Sequence, residues 1–204
     1  KCYRVLTLQF YSERFLVMPK TLKPWNLISE RLILEKKPYL KVYLQDVELP
    51  NGKVVKDYIR LKLPDFVVIL AMLESGEFVM EKSYKNGIGK VILETPAGMI
   101  EDGEISLNAA KRELLEETGY ESNDWKSIGS YTLHANYGCG KAFFFFCEGA
   151  KKVAEPDSGD LEEMDVFLMK KEDLFSALDN GKIDLLSVAT SIALVRNILE
   201  KRTN

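Results

Sequence analysis

Hydrophobic and polar residues alternate along two stretches near the start of the chain. Residues 39–49 and 53–63 carry apolar side chains at about every second position, and a Pro-Asn-Gly turn signal separates them. The next stretch, residues 66–73, is an almost continuous apolar run, as in a strand that is buried on both faces. The pattern therefore predicts a small antiparallel β unit over residues 25–63, followed by a strand inside a larger sheet.

Further strands and helices are predicted along the rest of the chain. Strands are expected over residues 78–82, 91–94, 125–134, 142–147 and 164–169, and helices over residues 105–118, 172–178 and 183–202. Strands mixed with one helix in mid-chain and two at the end fit a sheet packed between helices. The sequence therefore predicts an α/β fold.

The mid-chain helix carries its own start and stop signals. Ser106 is a candidate N-cap, and Gly119 can adopt the left-handed conformation that ends a helix. Leu114 is expected to point toward a core. Ala109 and Ala110 are small, and we expect them to leave room beside the charged face for something to approach closely.

Three carboxylates crowd one side of this helix. At 100° per residue, Glu113 and Glu117 share a face, and Glu116 lies on its flank. Like charges at this spacing repel, so the face is either a solvated surface or a site for a hard divalent cation that neutralises the charge. Magnesium suits an open helical face, because it keeps several waters and takes one or two carboxylates together with substrate phosphates.

The composition narrows the class of protein. The chain has 204 residues, 46% of them apolar, and its net charge of −3 comes with scattered Lys and Arg, so we expect one main domain and no nucleic-acid groove. Three cysteines without a CxxC pair and a single histidine argue against a disulfide framework, a zinc site or a multi-histidine centre.

No apolar run reaches the length of a membrane span, and we expect a cytoplasmic protein with no membrane partner. Residues 1–17 are expected to be an upstream or cloning-derived extension.

Residues 98–120 contain a longer motif. Their sequence, GMIEDGEISLNAAKRELLEETGY, matches every fixed position of the pattern G-x5-E-x7-R-E-U-x-E-E-x-G-U, where U is aliphatic or aromatic. This pattern is the Nudix box, so the chain resembles the Nudix hydrolases and is identified as a member of that family. The segments W-x-x-I-S-E, L-P-N-G-K and L-E-T-P-A-G resemble the branch of ADP-ribose pyrophosphatases and nucleotide-sugar diphosphatases.

The resemblance implies a fold and an oligomeric state. We expect the Nudix α/β/α sandwich with a mixed sheet, plus an N-terminal antiparallel β unit. The expected segments are an extension over residues 1–23, the β unit over residues 24–64 and the Nudix domain over residues 65–204. Members of the branch often form homodimers through the β unit, which by itself is too small to be stable without packing on something.

The resemblance also implies an activity. It is the Mg²⁺-dependent, or Mn²⁺-dependent, hydrolysis of the diphosphate bond of a small nucleotide sugar, ADP-ribose-like or GDP-mannose-like, to a nucleoside monophosphate and a sugar phosphate. The segment HANYGCGK lacks the proline that ADP-ribose pyrophosphatases usually carry about sixteen residues after the box, which leaves the sugar and base open. The alternatives are hydrolysis of dinucleoside polyphosphates or nucleoside triphosphates, or a catalytically silent Nudix fold that only binds a ligand.

By position in the box, the resemblance assigns residues to the metal. Glu113 and Glu117 are implied as direct ligands, with Glu116 as a third and the backbone carbonyl of Ala97 as a further candidate. Arg112, together with Glu104, is implied to brace the loop and orient the carboxylates.

The remaining roles lie outside the box. A general base is expected from the acidic segment SGDLEEMDV, where Glu162 is the first choice and Asp160 and Glu163 are the alternatives. The candidate substrate-binding residues are Trp25, which could stack on a nucleobase, and Tyr84, Lys85 and Glu94 near the phosphates or ribose. Lys85 stands where the branch often has arginine, so the bidentate fork of arginine is lost. His134 is expected to be a loop or strand-end histidine rather than a catalyst.

Overall fold

The computed structural model describes residues 22–157, 159 and 163–203. Most of the predicted extension, and the predicted bases Asp160 and Glu162, lie outside these residues. Three antiparallel strands begin the described chain in the order β1-β2-β3, with bounds β1 (Asn26–Lys36), β2 (Leu40–Glu48) and β3 (Val54–Lys62). The turn between the second and third strands uses Gly52 at a φ of 82°, as the turn signal predicts.

The larger sheet is mixed. Its strands are β4 (Phe66–Met72), β5 (Phe78–Lys85), β6 (Lys90–Glu94), β7 (Ala97–Met99), β9 (Asp124–Thr132), β10 (Lys141–Glu148) and β12 (Met164–Met169). Within the described residues their order is β12-β5-β4-β10-β9, with β6 paired to β5 and β7 paired to β4. Strands β4 and β10 run parallel and the other pairs are antiparallel.

A short ribbon and three helices complete the described chain. The ribbon pairs β8 (Tyr120–Glu121) with β11 (Lys151–Lys152), and the helices are α1 (Ser106–Thr118), α2 (Lys171–Asp179) and α3 (Leu186–Thr203). None of the helices in the described part of the chain is long and apolar enough to cross a membrane.

Both faces of strand β4 are buried, which explains its continuous apolar sequence. Val67 and Ile69 pack in a cluster with residues of α1, whereas Leu70 packs in a second cluster with residues of α2 and α3. The sheet therefore lies between α1 on one side and α2 with α3 on the other. This arrangement confirms the predicted α/β sandwich with a mixed sheet and a separate antiparallel sheet.

Two local predictions about α1 are wrong. Ile105 is the N-cap, with no side-chain cap hydrogen bond, so Ser106 is the first helical residue rather than the cap. Ala109 and Ala110 do not leave room beside the carboxylates, because both are fully buried in the cluster shared by α1 and the sheet. Small side chains here let the helix lie close to the sheet. The last helix also starts three residues later than predicted, at Leu186.

The predicted stop of α1 is confirmed. Gly119 has a φ of 74°, and its amide donates to the Leu115 carbonyl at 2.8 Å. A Cβ atom on Gly119 would lie 2.0 Å from the carbonyl oxygen of Ala154. Both the backbone conformation and this close approach therefore require glycine.

Substitution of Gly119 by alanine is expected to destabilise the fold more than the same change at Gly181. Gly181 also has a positive φ, 64°, but nothing lies within 4 Å of a Cβ atom there. Gly181→Ala isolates the left-handed strain of about 1 kcal/mol, and Gly119→Ala adds the clash, so its loss should exceed the control by about 1 kcal/mol or more. Urea unfolding of both variants measures this difference, and equal losses would contradict it.

Candidate active site

Strand β7 and helix α1 form one side of the site. β7 pairs with β4, which places residues 97–99 beside the helix. A Cβ atom on Gly98 would lie 2.1 Å from the carboxylate carbon of Glu113, so a side chain at position 98 would displace this carboxylate from its place against the strand. The glycine of the motif therefore allows a charged side chain of the helix to reach the backbone of β7.

The carboxylates of α1 differ in their exposure to solvent. Glu117 is 6% exposed, and its Oε2 accepts a hydrogen bond from the Ala97 amide at 2.8 Å. The Glu113 side chain is 13% exposed, whereas that of Glu116 is 42% exposed. The predicted ligands of the box therefore run from the interior to the solvent along one side of the helix.

Arg112 connects these carboxylates to the loop before the helix. Its Nε and Nη2 donate to Glu104 at 3.1 and 3.0 Å, and its Nη1 donates to Glu113 at 2.7 Å and to Glu116 at 3.1 Å. Nη2 also donates to the Met99 carbonyl at 3.0 Å. The bond to Glu104 is the largest cause that raises the pKa of Arg112, and it also lowers the pKa of Glu104. Arg112 is therefore a permanent cation at the centre of the motif.

The donor chemistry of this side fits a hard divalent cation. Its side-chain donors are carboxylate oxygens, which Mg²⁺ and Mn²⁺ prefer. In the part of the chain that the structure describes, no three acidic, Cys or His side chains converge as a ready metal-binding group. Arg112 already donates to Glu113 and Glu116, and the Ala97 amide donates to Glu117. A cation here would share the carboxylates with these donors.

A second polar group lies on strands β5 and β6. Glu81 and Glu94 occupy directly opposite positions of this antiparallel pair and are 1% and 7% exposed, and we call them the acidic pair. The Ser83 hydroxyl donates to Glu94, and Lys85 Nζ lies 3.0 Å from Oε1 of Glu94. The predicted residues Lys85 and Glu94 are therefore brought together as an ion pair.

The acidic pair shares a face of the sheet with α1. Val79 packs in the cluster that contains residues of α1, and side chains two apart along a strand project to the same face. Glu81, Ser83 and Lys85 follow Val79 at this spacing. Strand β6 then leads through residues 95 and 96 to β7, so the acidic pair lies next to the strand that contacts the box carboxylates.

Tyr84 is separated from Lys85. It lies at the alternate position of β5, is half exposed and pairs across the strands with Val91. Sequence reasoning grouped Tyr84 with Lys85 by adjacency, but adjacent strand residues face opposite sides. It missed Glu81, although a glutamate at a core-facing position of the run FVMEK is a visible exception to the apolar pattern.

A cleft of about 270 Å³ lies between the N-terminal sheet and the loop that joins β9 to β10. Its lining residues are Gln45, Tyr58, Arg60, Ala135, Asn136, Tyr137 and Gly138. The Tyr58 hydroxyl donates to the Asn136 carbonyl at 3.1 Å, and Trp25 packs edge-on against Tyr58 with ring centroids 5.6 Å apart. Trp25 is half exposed, so the predicted stacking residue lies beside a cleft that contains other aromatic rings.

This cleft lies at the same end of the large sheet as the motif. Met99 of β7, Phe66 of β4 and Ala142 of β10 are register partners across three adjacent strands, which spans about 10 Å. The loop of the cleft leads directly into β10. His134 packs against Tyr137, with ring centroids 4.7 Å apart, and is exposed.

The described part of the acidic segment also approaches the site. Glu163 is exposed and precedes β12, whose first residue, Met164, pairs with Ser83 of β5. On the other side of the segment, the Asp157 amide donates to the Glu116 carbonyl at 2.7 Å. The chain is therefore anchored on α1 just before the acidic segment and on β5 just after it.

Comparison with known proteins identifies a family and several relatives. Residues 62–187 match the NUDIX domain, and the chain is 30% identical over 165 residues to an ADP-ribose pyrophosphatase of Bacillus subtilis (strain 168), covering 80% of this chain and 88% of the relative. It is 32% identical over 133 residues to a methanol dehydrogenase activator of Bacillus methanolicus, covering 65% and 68%. A crystal structure of an ADP compounds hydrolase superposes with a TM-score of 0.78 at 18% identity, covering 90% of this chain and 98% of that one.

The chain therefore belongs to the NUDIX family, since the matched domain spans more than half of it and includes every fixed position of the box. Within that family it is an enzyme, a Nudix hydrolase of the branch that contains ADP-ribose pyrophosphatases.

Glu104→Gln is expected to lower stability by about 1–2 kcal/mol at pH 7, because it weakens charged hydrogen bonds to Arg112. The folded-state pKa of Glu104 lies below its ordinary value, so this stabilisation is present above the unfolded-state pKa of about 4.3 and is lost as the pH falls through the folded-state pKa. Urea unfolding of wild type and variant at several pH values measures the difference. Glu101→Gln, an exposed carboxylate of the same loop, is the control. A difference that persists unchanged at pH 2 would contradict the expectation.

Proposed function

We propose that this chain hydrolyses the diphosphate bond of a nucleotide sugar, ADP-ribose-like or GDP-mannose-like, with Mg²⁺ or Mn²⁺, and releases a nucleoside monophosphate and a sugar phosphate. The observation that carries the proposal is the contact of the Glu113 and Glu117 carboxylates with the backbone of Gly98 and Ala97. The name of the Bacillus subtilis relative supports an ADP-ribose-like substrate.

Glu113, Glu116 and Glu117 would hold the divalent ions, with the Ala97 carbonyl as a further ligand. When bound, the ions supply charge neutralisation of the diphosphate and a lowered pKa for a bound water. Arg112 keeps Glu113 and Glu116 in place before the ions arrive, since it donates to both. Orientation in advance reduces the entropy that the ligands lose on binding.

A general base takes the proton of the attacking water. Glu163 is a described candidate, and Glu162 and Asp160 are the neighbouring alternatives. The support is that the Asp157 amide, ahead of the segment, donates to the Glu116 carbonyl, and that Met164, directly after Glu163, pairs with Ser83 of β5. Glu162 stays the first choice from the sequence.

Lys85 binds the phosphates in this proposal. Its ammonium group is paired with Glu94 and remains partly exposed, so it can also donate to an anion. As a point charge it lacks the planar fork of arginine and fixes orientation less strictly. Glu94 holds Lys85 and lies ahead of the strand that contacts the box carboxylates. Tyr84 faces the opposite side of the sheet from Lys85 and Glu94, so we assign it no contact with substrate in its own protomer.

The nucleoside end of the substrate fits the cleft beside Trp25. Tyr58 and Tyr137 offer ring faces, and Gln45 and Arg60 offer hydrogen-bond groups for a base. The position of the cleft supports this assignment. Its loop leads into β10, which lies about 10 Å from β7 at the same end of the sheet.

The first experiment is phosphate release, coupled through a phosphatase, over a panel of nucleotide sugars, dinucleoside polyphosphates and nucleoside triphosphates with Mg²⁺. We expect turnover of a nucleotide sugar, abolished by EDTA and lowered about 100-fold or more by Glu117→Gln. Glutamine keeps an oxygen that can accept from the Ala97 amide, so the variant should fold. Glu121→Gln, which changes an exposed carboxylate of the short strand β8, is the control and should keep full activity.

The panel also separates the alternatives. Turnover confined to dinucleoside polyphosphates or nucleoside triphosphates would move the substrate to those classes. A folded protein without turnover of any of these would favour the silent binding module, although Glu113, Glu116 and Glu117 are all retained, which argues against it.

We further propose that the chain forms a homodimer through the N-terminal sheet. β1 is exposed along nearly its whole length, and its apolar side chains Leu27, Ile28, Leu32, Ile33 and Leu34 are 43–52% exposed. An apolar surface of this kind is typical of an interface. β1 is also an edge strand of its sheet in the described chain, and a second copy could cover the backbone groups along that edge.

Sedimentation of the wild type is expected to give a dimer at micromolar concentration. Leu32→Glu should weaken the dimer at least about tenfold, because it places a charge in the apolar surface. Leu186→Glu, which changes an exposed leucine at the start of α3, is the control and should remain dimeric. A monomeric wild type would contradict the proposal.

A further inference from the structure

Glu30 lies on the face of the N-terminal sheet that borders the cleft. It is directly opposite Gln45 in the β1–β2 pair, and Gln45 is directly opposite Tyr58 in the β2–β3 pair. Arg60 lies two residues beyond Tyr58, and residues that are opposite each other or two apart share a face of a sheet. Since Gln45, Tyr58 and Arg60 all line the cleft, Glu30 extends this row of side chains onto β1.

The Glu30 carboxylate contacts two side chains of the cleft. Gln45 Nε2 donates to Glu30 Oε2 at 2.5 Å, and Arg60 Nη1 lies 3.7 Å from the same oxygen. The Glu30 side chain is 30% exposed, so these contacts are partly shielded from water. Its two partners are the hydrogen-bonding groups that the proposed function assigns to the base. Glu30 is therefore in a position to fix the orientation of both groups.

The chemistry of this contact determines what Gln45 can present to a ligand. A carboxylate accepts hydrogen bonds and does not donate them, so it binds the amide nitrogen of Gln45 and not the carbonyl oxygen. The carbonyl oxygen is then left as an acceptor for an N–H group of a base. Arg60 has only donors. The two side chains thus offer an acceptor next to donors, which suits the neighbouring N–H and acceptor atoms along the edge of a nucleobase.

A β-bulge next to this row supports a functional role. The register of β2 and β3 shifts next to the Gln45–Tyr58 pair, and Asp57 adopts a φ of 55° there. The Asp57 amide donates to Asp46 Oδ1 at 3.1 Å, which stabilises the bulge. Bulges are common beside binding sites, where the extra residue redirects a side chain. Here the bulge determines which residues of β3 share the face of Gln45.

We propose that Glu30 is a positioning residue for the nucleoside end of the substrate, an inference that rests on the proposed function of the cleft. Glu30 holds the Gln45 amide and steadies Arg60, so both meet the base in a fixed orientation. Orientation in advance reduces the entropy that these side chains lose on binding. The hydrogen bond to Gln45 has the larger effect, because the longer contact with half-exposed Arg60 is screened by water. Glu30 therefore acts on nucleotide affinity rather than on the hydrolytic step.

The test is the affinity of the full chain for AMP, GMP, CMP and UMP, measured by quenching of tryptophan fluorescence. Trp25 packs against Tyr58 beside the cleft, so its fluorescence reports on a bound base without turnover. Glu30→Ala should raise the dissociation constant of the nucleotide that binds most tightly about threefold to tenfold. Glu35→Ala is the matched control, since Glu35 also lies on β1 and pairs with the opposite residue of β2, Lys41, at 2.8 Å. It should stay within about twofold of wild type.

A double-mutant cycle separates positioning from a general loss of stability. Because Glu30 acts through Gln45, Glu30→Ala should change the affinity less than about twofold when Gln45 is already alanine. Glu30→Gln keeps an oxygen that can accept from the Gln45 amide and should stay within about threefold of wild type. A role confined to the stability of the sheet would not produce either result.

Other outcomes would overturn the inference. Unchanged affinity in Glu30→Ala, or an equal loss in Glu35→Ala, would show that Glu30 has no specific part in binding. An undiminished effect of Glu30→Ala in the Gln45→Ala background, or an equal loss in Glu30→Gln, would contradict a role through the Gln45 amide. If Glu30→Ala does not fold, Glu30→Thr removes the same carboxylate with a residue that suits a strand and measures the same loss.

The proposed function can fail separately. A wild type that binds none of the four nucleotides would contradict the proposed nucleoside site and this inference together. Binding without any difference in Glu30→Ala would overturn this inference alone. Binding that depends on Glu30, in a chain that hydrolyses no nucleotide sugar, would contradict the proposed reaction and support this inference.

Discussion

The close approach of helix α1 to strand β7 is the constraint on which the site depends. The Glu113 carboxylate occupies the space that a side chain at position 98 would fill, and Glu117 accepts from the Ala97 amide. This approach is possible because Ala109 and Ala110 on the inner side of the helix are small and fully buried. The packing of the core and the position of the carboxylates are therefore set by the same helix.

Arg112 lowers the electrostatic repulsion between these crowded carboxylates. Its guanidinium group donates to Glu104, Glu113 and Glu116, and the hydrogen bonds hold the group in its charged form. An arginine among three glutamates lowers their mutual repulsion but leaves the site negative. The carboxylates are thus held in place by hydrogen bonds while the group keeps a net negative charge. A lysine could not make the same set of contacts, because it lacks the planar fork.

The sequence predicted the elements and the motif well because both depend on local spacing. The shared face of Glu113 and Glu117 follows from helical periodicity, and the end of α1 follows from the glycine at position 119. The sequence did not reveal the contact between Lys85 and Glu94, two residues nine apart in the chain, because it depends on how β5 and β6 pair. Pairing of this kind depends on tertiary packing, and adjacency wrongly suggested that Tyr84 would join them.

The strongest unused signal in the sequence was a break in the apolar pattern. Strand β5 begins with three fully buried apolar residues, and the next residue, Glu81, is buried as well. A pattern-based reading treats such a glutamate as the polar end of a strand, which is usually correct. Here the strand continues for four more residues, because β6 and β12 pair on either side of it. Glu81 therefore lies in the middle of the sheet, opposite Val166 on one side and Glu94 on the other, where the sequence pattern alone would place an apolar residue.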